Sequence, residues 1–335
     1  MNICVYGAGA IGGSLAVRLS MSGCKVGVVA RGEHADAIRR TGLTLVSGEQ
    51  RCTVRLPCVA RPDELPESPD IVFVTVKQTQ LPAIAGQLAR LTESGARLIL
   101  MMNGIPWWFA RELPLPPGSE LLRHIDPGER LDACIDRRQL SAAVVRSSNE
   151  VVEPGVVLAT TPERNRIIIG AVESDTVGVL HDRSTEDVCR LLRASGYAAE
   201  QSGDIRREIW KKMVLWMAVS PLSALTGMPV DRLASDPWSF DLMCFIMKEM
   251  IAIGQGVGIE LSADVEETIG FYRDKPARPS LLKDFEVGRK PELASCVLIF
   301  DEVAQATGAP APNVHLLAGL CRLKRNALED QEKGS

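Results

Sequence analysis

The sequence predicts an α/β domain followed by an all-helical domain, and three observations support this fold class. A short apolar run at residues 3–6 leads directly into glycines at positions 7, 9 and 12, which is typical of a buried strand that turns into a helix. Further short apolar runs recur as far as residue 201. After about residue 204, long segments with helical periodicity replace them. We therefore predict domains at residues 1–203 and 204–335.

The glycine motif stands where the first strand meets the first helix. Gly7 permits the tight turn, Gly9 lets the backbone approach a pyrophosphate, and Gly12 lets the helix pack closely on the strand. The N-terminus of the helix favours the phosphate through its free N–H groups and its dipole. We predict a Rossmann-type dinucleotide site formed by Gly7, Gly9, Ala10, Ile11 and Gly12. The alternative is a glycine-rich turn without a ligand.

The second strand, predicted at residues 25–30, is followed by Arg31. An NAD-preferring site has an Asp or Glu here to bind the ribose hydroxyls, whereas a guanidinium suits a 2′-phosphate. NADP(H) is therefore the expected cofactor. The alternative is that Arg31 is a solvated charge and that Glu33 binds the ribose.

Two further buried strands, predicted at 70–76 and 97–102, lead to Lys77 and Asn103. Because the carboxyl ends of parallel strands form the ligand crevice, both side chains are expected on the cofactor side. Asn103 can hydrogen-bond a nicotinamide, a catalytic ammonium or a substrate oxygen. Taken singly, each residue is better explained as an ordinary turn residue between a strand and a helix.

The other elements follow from the same patterns. Residues 44–59 are predicted as a β excursion at the sheet edge, and residues 113–139, rich in proline, glycine and charge, as a loop insertion. The remaining first-domain elements are strands at 141–147, 156–160, 167–170 and 197–201 and a helix at 184–195. The second-domain helices are predicted at 206–226, 237–257, 263–273, 291–307 and 313–328. The ligand crevice is expected between the two domains.

Composition limits the classes of function. With 46% hydrophobic residues, a net charge of −4 and no basic block, the chain is typical of a globular protein that does not bind nucleic acid. No apolar run reaches the length of a membrane span, and the N-terminus is a core strand, so a cytoplasmic protein is expected. The nine cysteines and four histidines are dispersed, so no metal site is expected.

The predicted helix at 206–226 carries the first candidate for chemistry. Lys212, Trp216 and Ser220 are spaced four residues apart and share one face, and Pro221 is expected to interrupt the helix. Partial desolvation beside the apolar residues 213–216 suits Lys212 to act as a general acid. A surface charge is the alternative.

The motifs together resemble the ketopantoate reductase family from end to end and in the same order. They are GAGAIG at 7–12, Arg31, VTVK at 74–77, NG at 103–104, IWKK and SPLSALTG within 209–227, and SLLKD and RKPE within 280–292. The resemblance implies a Rossmann domain joined to a helical domain, with NADPH reducing a 2-oxo acid to a 2-hydroxy acid. It also implies that Arg31 and Lys77 hold the 2′-phosphate end of the cofactor.

The resemblance implies a role for each residue that matches a family motif. Lys212 matches the general acid, which protonates the carbonyl oxygen as hydride arrives on carbon. Glu292 matches the carboxylate that helps to place substrate and lysine, and Asn103 matches an amide of the same hydrogen-bond network. Ser280 matches the hydroxyl that binds the substrate carboxylate. Without the resemblance, Ser280 and Glu292 would be interpreted as a helix cap and a solvated carboxylate.

The departures from the family pattern bear on the substrate. Trp216 and Ser220 stand where the family usually has Asn, and Val297 and Leu298 stand where Asn-Gly is common. Trp216 and Ser220 are candidate substrate-binding residues in a less polar pocket, although Trp216 could instead be buried core. Three functions stay open: a reductase of a small 2-oxo acid, a reductase of a bulkier, less polar carbonyl or imine, and a non-catalytic NADP-binding sensor. The expected partner is a small-molecule carbonyl substrate, and family analogy suggests a monomer or homodimer.

Overall fold

The computed structural model describes residues 1–161, 163–173 and 179–334, which form two compact units. The first unit contains Met1–Met102 and Glu129–Ile205. The second contains Asn103–Gly128 and the chain from Arg206 onward. The fold class is as predicted, an α/β unit and a helical unit. Residues 103–128 differ from the prediction, because they belong to the helical unit.

Twelve strands lie within the described residues. They are β1 (Asn2–Tyr6), β2 (Lys25–Val29), β3 (Leu43–Ser47), β4 (Gln50–Val54), β5 (Cys58–Val59), β6 (Ile71–Val74), β7 (Arg97–Leu100), β8 (Leu140–Arg146), β9 (Asn149–Glu153), β10 (Val156–Ala159), β11 (Arg166–Ala171) and β12 (Ala198–Gln201). Eight of them form one sheet in the order β12-β11-β8-β7-β6-β1-β2-β5. All neighbours pair in parallel except β8 and β11, which are antiparallel. The predicted apolar runs are its buried central strands.

A second, four-stranded sheet has the order β4-β3-β10-β9 and corrects the predicted edge excursion at residues 44–59. Only β5 joins the edge of the large sheet, where it pairs with β2. The hairpin of β3 and β4 instead pairs through β3 with β10, because Leu43 and Leu45 are buried in the core with Val157. Strand β9 was not predicted, since its sequence NEVVE has little apolar alternation.

Fourteen α-helices complete the described part of the chain. They are α1 (Ala10–Met21), α2 (Gly32–Thr41), α3 (Leu81–Glu93), α4 (Trp107–Ala110), α5 (Glu120–Ile125), α6 (Arg130–Cys134), α7 (Val179–Ala194), α8 (Ile205–Thr226), α9 (Val230–Ser235), α10 (Pro237–Gly256), α11 (Val265–Gly270), α12 (Ser280–Glu286), α13 (Ile299–Thr307) and α14 (Pro312–Gly334). A π-helical turn, Ala294–Leu298, leads into α13. None of the described helices is long and apolar enough to cross a membrane.

Three helical predictions need correction. Residues 113–139 are not simply a loop, because they contain α5 and α6, whose Leu121, Ile125 and Leu131 are buried. Pro221 does not interrupt α8, which continues to Thr226. Helices α9 and α12 were not predicted. Each is too short to show helical periodicity, and prolines stand in the sequence beside it.

Aromatic packing holds residues 103–128 within the second unit. Phe109 of α4 lies edge-on to Trp210 of α8 at 6.2 Å between ring centroids, and Trp210 is in turn edge-on to Phe300 at 5.2 Å. Arg206 forms a salt bridge to Glu112. Trp107, Trp108 and Phe109 are all buried and belong to the core of the helical unit.

Candidate active site

The glycine loop at the end of β1 is crowded on its inner side. Gly7 has φ +104°, and a Cβ there would lie 2.9 Å from Val76 Cγ1. A Cβ on Gly12 would lie 2.0 Å from the Gly7 carbonyl oxygen, so only glycine allows α1 to sit this close to the strand. The Thr75 hydroxyl donates a hydrogen bond to the same oxygen at 2.5 Å. The two glycines and the hydrogen bond from Thr75 of the neighbouring strand segment therefore fix the turn that the motif predicts.

The outer side of the same loop is open. Gly9 is exposed, and a Cβ built on it would meet nothing within 4 Å. It is the N-cap of α1 and provides no side-chain cap, so helix geometry leaves the N–H groups of Ala10 and Ile11 without intrahelical acceptors. An open backbone surface at a helix N-terminus fits a pyrophosphate group.

Arg31 and Lys77 stand at the carboxyl ends of β2 and β6, the two parallel strands that pair with β1 on either side. Arg31 is exposed and is the N-cap of α2, directly after β2 and Ala30. Burial raises the pKa of the Tyr6 hydroxyl, and the nearby Arg31 guanidinium opposes that rise. Lys77 is half-buried beyond β6, with its backbone N–H donating to Gln80 Oε1 at 3.1 Å. Both cations therefore lie at the same end of the sheet as the glycine loop, one on either side of β1.

In the second unit the structure brings Lys212 and Asn103 together. The Lys212 ammonium donates a hydrogen bond to Asn103 Oδ1 at 2.7 Å, although 109 positions separate the two residues. Lys212 is half-buried, whereas its neighbour Lys211 is exposed. Beside this pair lies a cavity of about 10 Å³, the space of one water molecule. Its lining residues are Asn103, Trp216, Ser280, Leu281, Asp284, Glu292 and Cys296.

The cavity is lined by both polar and less polar side chains. Two carboxylates line it, Asp284 at 7% exposure and the half-buried Glu292. Trp216 and Cys296 contribute less polar surface. Ser220, predicted on the same helix face as Trp216, is buried and does not line the cavity. The two carboxylates line the cavity directly, and the Lys212 ammonium is hydrogen-bonded to its lining residue Asn103. Groups of these kinds can exchange a proton with a bound molecule and orient it.

The π-helical turn explains how Asn103 is held. Gly104 has φ +81°, and a Cβ there would lie 2.7 Å from Cys296 Sγ. The next residue, Ile105, donates its backbone N–H to the Ser295 carbonyl at 2.9 Å. Wider hydrogen-bond spacing in a π turn departs from the regular α pattern, and such turns are frequent at functional sites. The segment that carries Asn103 is therefore fixed on both sides of Gly104.

Leu281, Asp284 and Cys296 are the cavity residues that sequence reasoning did not select. Asp284 is four residues after Ser280, and Cys296 is four residues after Glu292. Residues four apart on a helix share a face, so extending each motif residue by one turn would have found both.

Comparison with known proteins agrees with this architecture. The family model described as ketopantoate reductase PanE/ApbA matches residues 3–112, and its C-terminal counterpart matches residues 204–325. The 2-dehydropantoate 2-reductase of Mesorhizobium japonicum is 30% identical over 324 residues, which are 96% of this chain and 97% of the relative.

Solved structures share the whole fold. A structure from Ralstonia solanacearum, described provisionally as a ketopantoate reductase, has a TM-score of 0.85 at 30% identity and covers 98% of each chain. D-mandelate dehydrogenase with NADH and anilino(oxo)acetate has a TM-score of 0.81 at 18% identity, with 98% of this chain and 100% of that chain covered. At this identity the second likeness concerns the fold alone, and a fold does not select a substrate. The family models and the relative from Mesorhizobium japonicum show that the chain belongs to the ketopantoate reductase family of oxidoreductases.

Proposed function

We propose that this chain uses NADPH to reduce a 2-oxo acid to a 2-hydroxy acid, and its similarity to proteins named 2-dehydropantoate 2-reductase supports the reduction. The observation that carries the proposal is the 2.7 Å hydrogen bond from Lys212 to Asn103 beside a cavity lined by Glu292 and Ser280. When bound, the nicotinamide supplies the hydride. The side chains then have to supply a proton and hold the substrate.

Lys212 is the proposed general acid. Its ammonium donates a hydrogen bond to Asn103 Oδ1 at 2.7 Å, which holds the positive charge beside the cavity. As the carbonyl carbon accepts hydride, negative charge develops on its oxygen, and the ammonium stabilises that charge and transfers a proton to it. Glu292 lines the same cavity and is the carboxylate proposed to help place the substrate and the lysine. Ser280 is the proposed donor to the substrate carboxylate.

The cofactor is proposed to bind at the first unit. The open backbone at Gly9 and the free N–H groups at the start of α1 suit the pyrophosphate. Arg31 offers a fork of N–H donors that suits a 2′-phosphate, and Lys77 adds a second positive charge. Glu33 is exposed in the first turn of α2 and is the residue that would favour NADH instead.

Consumption of NADPH, followed by absorbance with 2-dehydropantoate and a panel of other 2-oxo acids, tests the reaction. Lys212→Ala is expected to lower kcat by a factor on the order of 10²–10⁴, because general acid catalysis contributes that much. The matched control is Lys211→Ala, which removes the exposed neighbouring ammonium. Unchanged turnover in Lys212→Ala across the panel would refute the assigned role and favour a non-catalytic, sensor-like protein.

The preference for NADPH is tested separately by titrating both reduced cofactors. Arg31→Ala is expected to weaken NADPH binding while leaving NADH binding nearly unchanged, because only NADPH carries the 2′-phosphate. Arg40→Ala, an exposed arginine at the other end of α2, is the control. Equal loss for both cofactors would contradict the proposed contact.

A second candidate function is favoured by Trp216. Its indole lines the cavity one helical turn from Lys212, where family members usually have an amide. We propose as the alternative a substrate with a bulkier, less polar group next to the carbonyl. Trp216→Asn should then shift relative kcat/KM toward small polar oxo acids. If the relative kcat/KM values among the oxo acids stay unchanged, Trp216 is a packing residue and does not select the substrate.

A further inference from the structure

We infer that His34 is a positioning residue for the glycine loop at residues 7–9, an inference that rests on the proposed cofactor role of that loop. His34 lies in the first turn of α2 and is half-buried. Its Nε2 is 2.7 Å from the carbonyl oxygen of Ala8, the residue between the two loop glycines. Its Nδ1 is 3.1 Å from the backbone nitrogen of Gly155. The ring therefore bridges two backbone segments of the first unit.

The two backbone partners fix the protonation of the ring. The Gly155 N–H can only donate, so Nδ1 of His34 must be an unprotonated acceptor. The Ala8 carbonyl can only accept, so Nε2 carries the proton and donates it. His34 thus bridges the two segments as a neutral imidazole of one tautomer.

The far end of the bridge is itself anchored. Gly155 lies in the turn between β9 and β10, and its carbonyl accepts the backbone N–H of Thr44 at 2.9 Å. Gly155 has φ +82°, and a Cβ there would lie 3.2 Å from the Cβ of Ala37. Gly155 is therefore held by the small sheet and packed against α2. The small sheet acts through His34 as a fixed support for the loop.

The consequence for the loop follows from the geometry of a trans peptide. All described peptide bonds are trans, and in a trans peptide the C=O and the following N–H point in opposite directions. Because His34 fixes the direction of the Ala8 carbonyl, it also fixes the Gly9 N–H, which points away from the ring. Gly9 is exposed, with open space beside its Cα. His34 therefore orients the Gly9 N–H at the open backbone surface where the pyrophosphate is proposed to bind.

Two substitutions separate the two contacts of the ring. In His34→Gln the side-chain amide nitrogen can take the place of Nε2 and keep the bond to Ala8. In His34→Asn the shorter amide oxygen can take the place of Nδ1 and keep the bond to Gly155, while the bond to Ala8 is lost. His124→Asn, an exposed histidine in the second unit, is the control.

Fluorescence titration with NADPH, steady-state kinetics and thermal melting are measured on all variants in the full chain. His34→Asn is expected to raise the NADPH Kd and KM about three- to tenfold, the effect of one lost neutral hydrogen bond. In His34→Gln the NADPH Kd and KM are expected to stay within about twofold of the wild-type values, because an amide donor replaces Nε2–H. The kcat at saturating NADPH and the KM for the oxo acid should stay unchanged.

Two outcomes would overturn the inference. One is an NADPH Kd in His34→Asn equal to that of the wild type. The other is equal weakening by both substitutions together with a lower melting temperature, which would make His34 a purely structural residue. Failure of the proposed function is a different result, because the unaltered chain itself would then bind neither cofactor or would bind NADPH without reducing any oxo acid of the panel.

Discussion

Replacing Gly104 by alanine tests the idea that the turn beside Asn103 is shaped for the Lys212 contact. The new Cβ would lie 2.7 Å from Cys296 Sγ, 2.9 Å from Ser295 Oγ and 3.0 Å from the Ser295 carbonyl oxygen. Each distance is shorter than ordinary van der Waals contact. The backbone would also hold an L-residue at φ +81°, a conformation that favours glycine.

The expected cost is the sum of two effects. A left-handed backbone costs a non-glycine residue about 1–2 kcal/mol. Overpacking in a filled core costs about 1–3 kcal/mol. We expect Gly104→Ala to lower the free energy of unfolding by about 2–5 kcal/mol. Relief of the clash would displace Asn103, and a shift of about 1 Å in a positioning group can lower turnover about a hundredfold.

Urea denaturation followed by tryptophan fluorescence, together with NADPH turnover, measures both effects. Gly258→Ala is the control, because Gly258 has φ +78° in the same unit while a Cβ there meets nothing within 4 Å. Only the backbone cost should appear in that variant. The double variant with Cys296→Ala should recover part of the loss. Equal destabilisation by Gly104→Ala and Gly258→Ala, with full turnover in both, would refute the steric reasoning.

Two further predictions concern stability and thiol chemistry. Glu249 is buried and accepts hydrogen bonds from the backbone of Asn313 and Val314 at 3.2 and 2.8 Å, so it caps the start of α14. Glu249→Ala should lower the free energy of unfolding in urea by about 1–3 kcal/mol, and a loss below a few tenths would contradict the cap. Burial raises the pKa of the Cys4 thiol to about 12, so a maleimide at pH 8 should label the exposed Cys134 first. Peptide mapping by mass spectrometry checks this order, and labelling of Cys4 in the folded protein would contradict it.

The sequence was most informative where a local residue pattern reflects a requirement of the tertiary packing. Gly7 and Gly12 were predicted at a strand-to-helix turn, and the structure leaves no room for a Cβ at either position. The apolar runs of β1, β6 and β7 are buried strands of the large sheet, because strands covered on both faces are apolar along their whole length.

Contacts between distant segments were beyond local reasoning. Nothing in the pattern around Asn103 indicates that its amide oxygen accepts from Lys212, and the assignment of both to one network came from family resemblance. Strand β9 was not predicted because it is half exposed and charged, and its pairing with β10 depends on tertiary context. The π turn likewise depends on packing against Gly104, which periodicity does not encode.

The path of the chain through residues 103–128 has a consequence for dissecting this protein. The helical unit is assembled from two separate pieces of polypeptide, so a fragment that starts at residue 206 lacks Phe109, the aromatic partner of Trp210. Such a fragment would expose that indole to water and would lose the amide that accepts from Lys212. A cut at residue 205 therefore divides the helical unit, and a fusion or domain exchange made with this chain needs to move both of its pieces together.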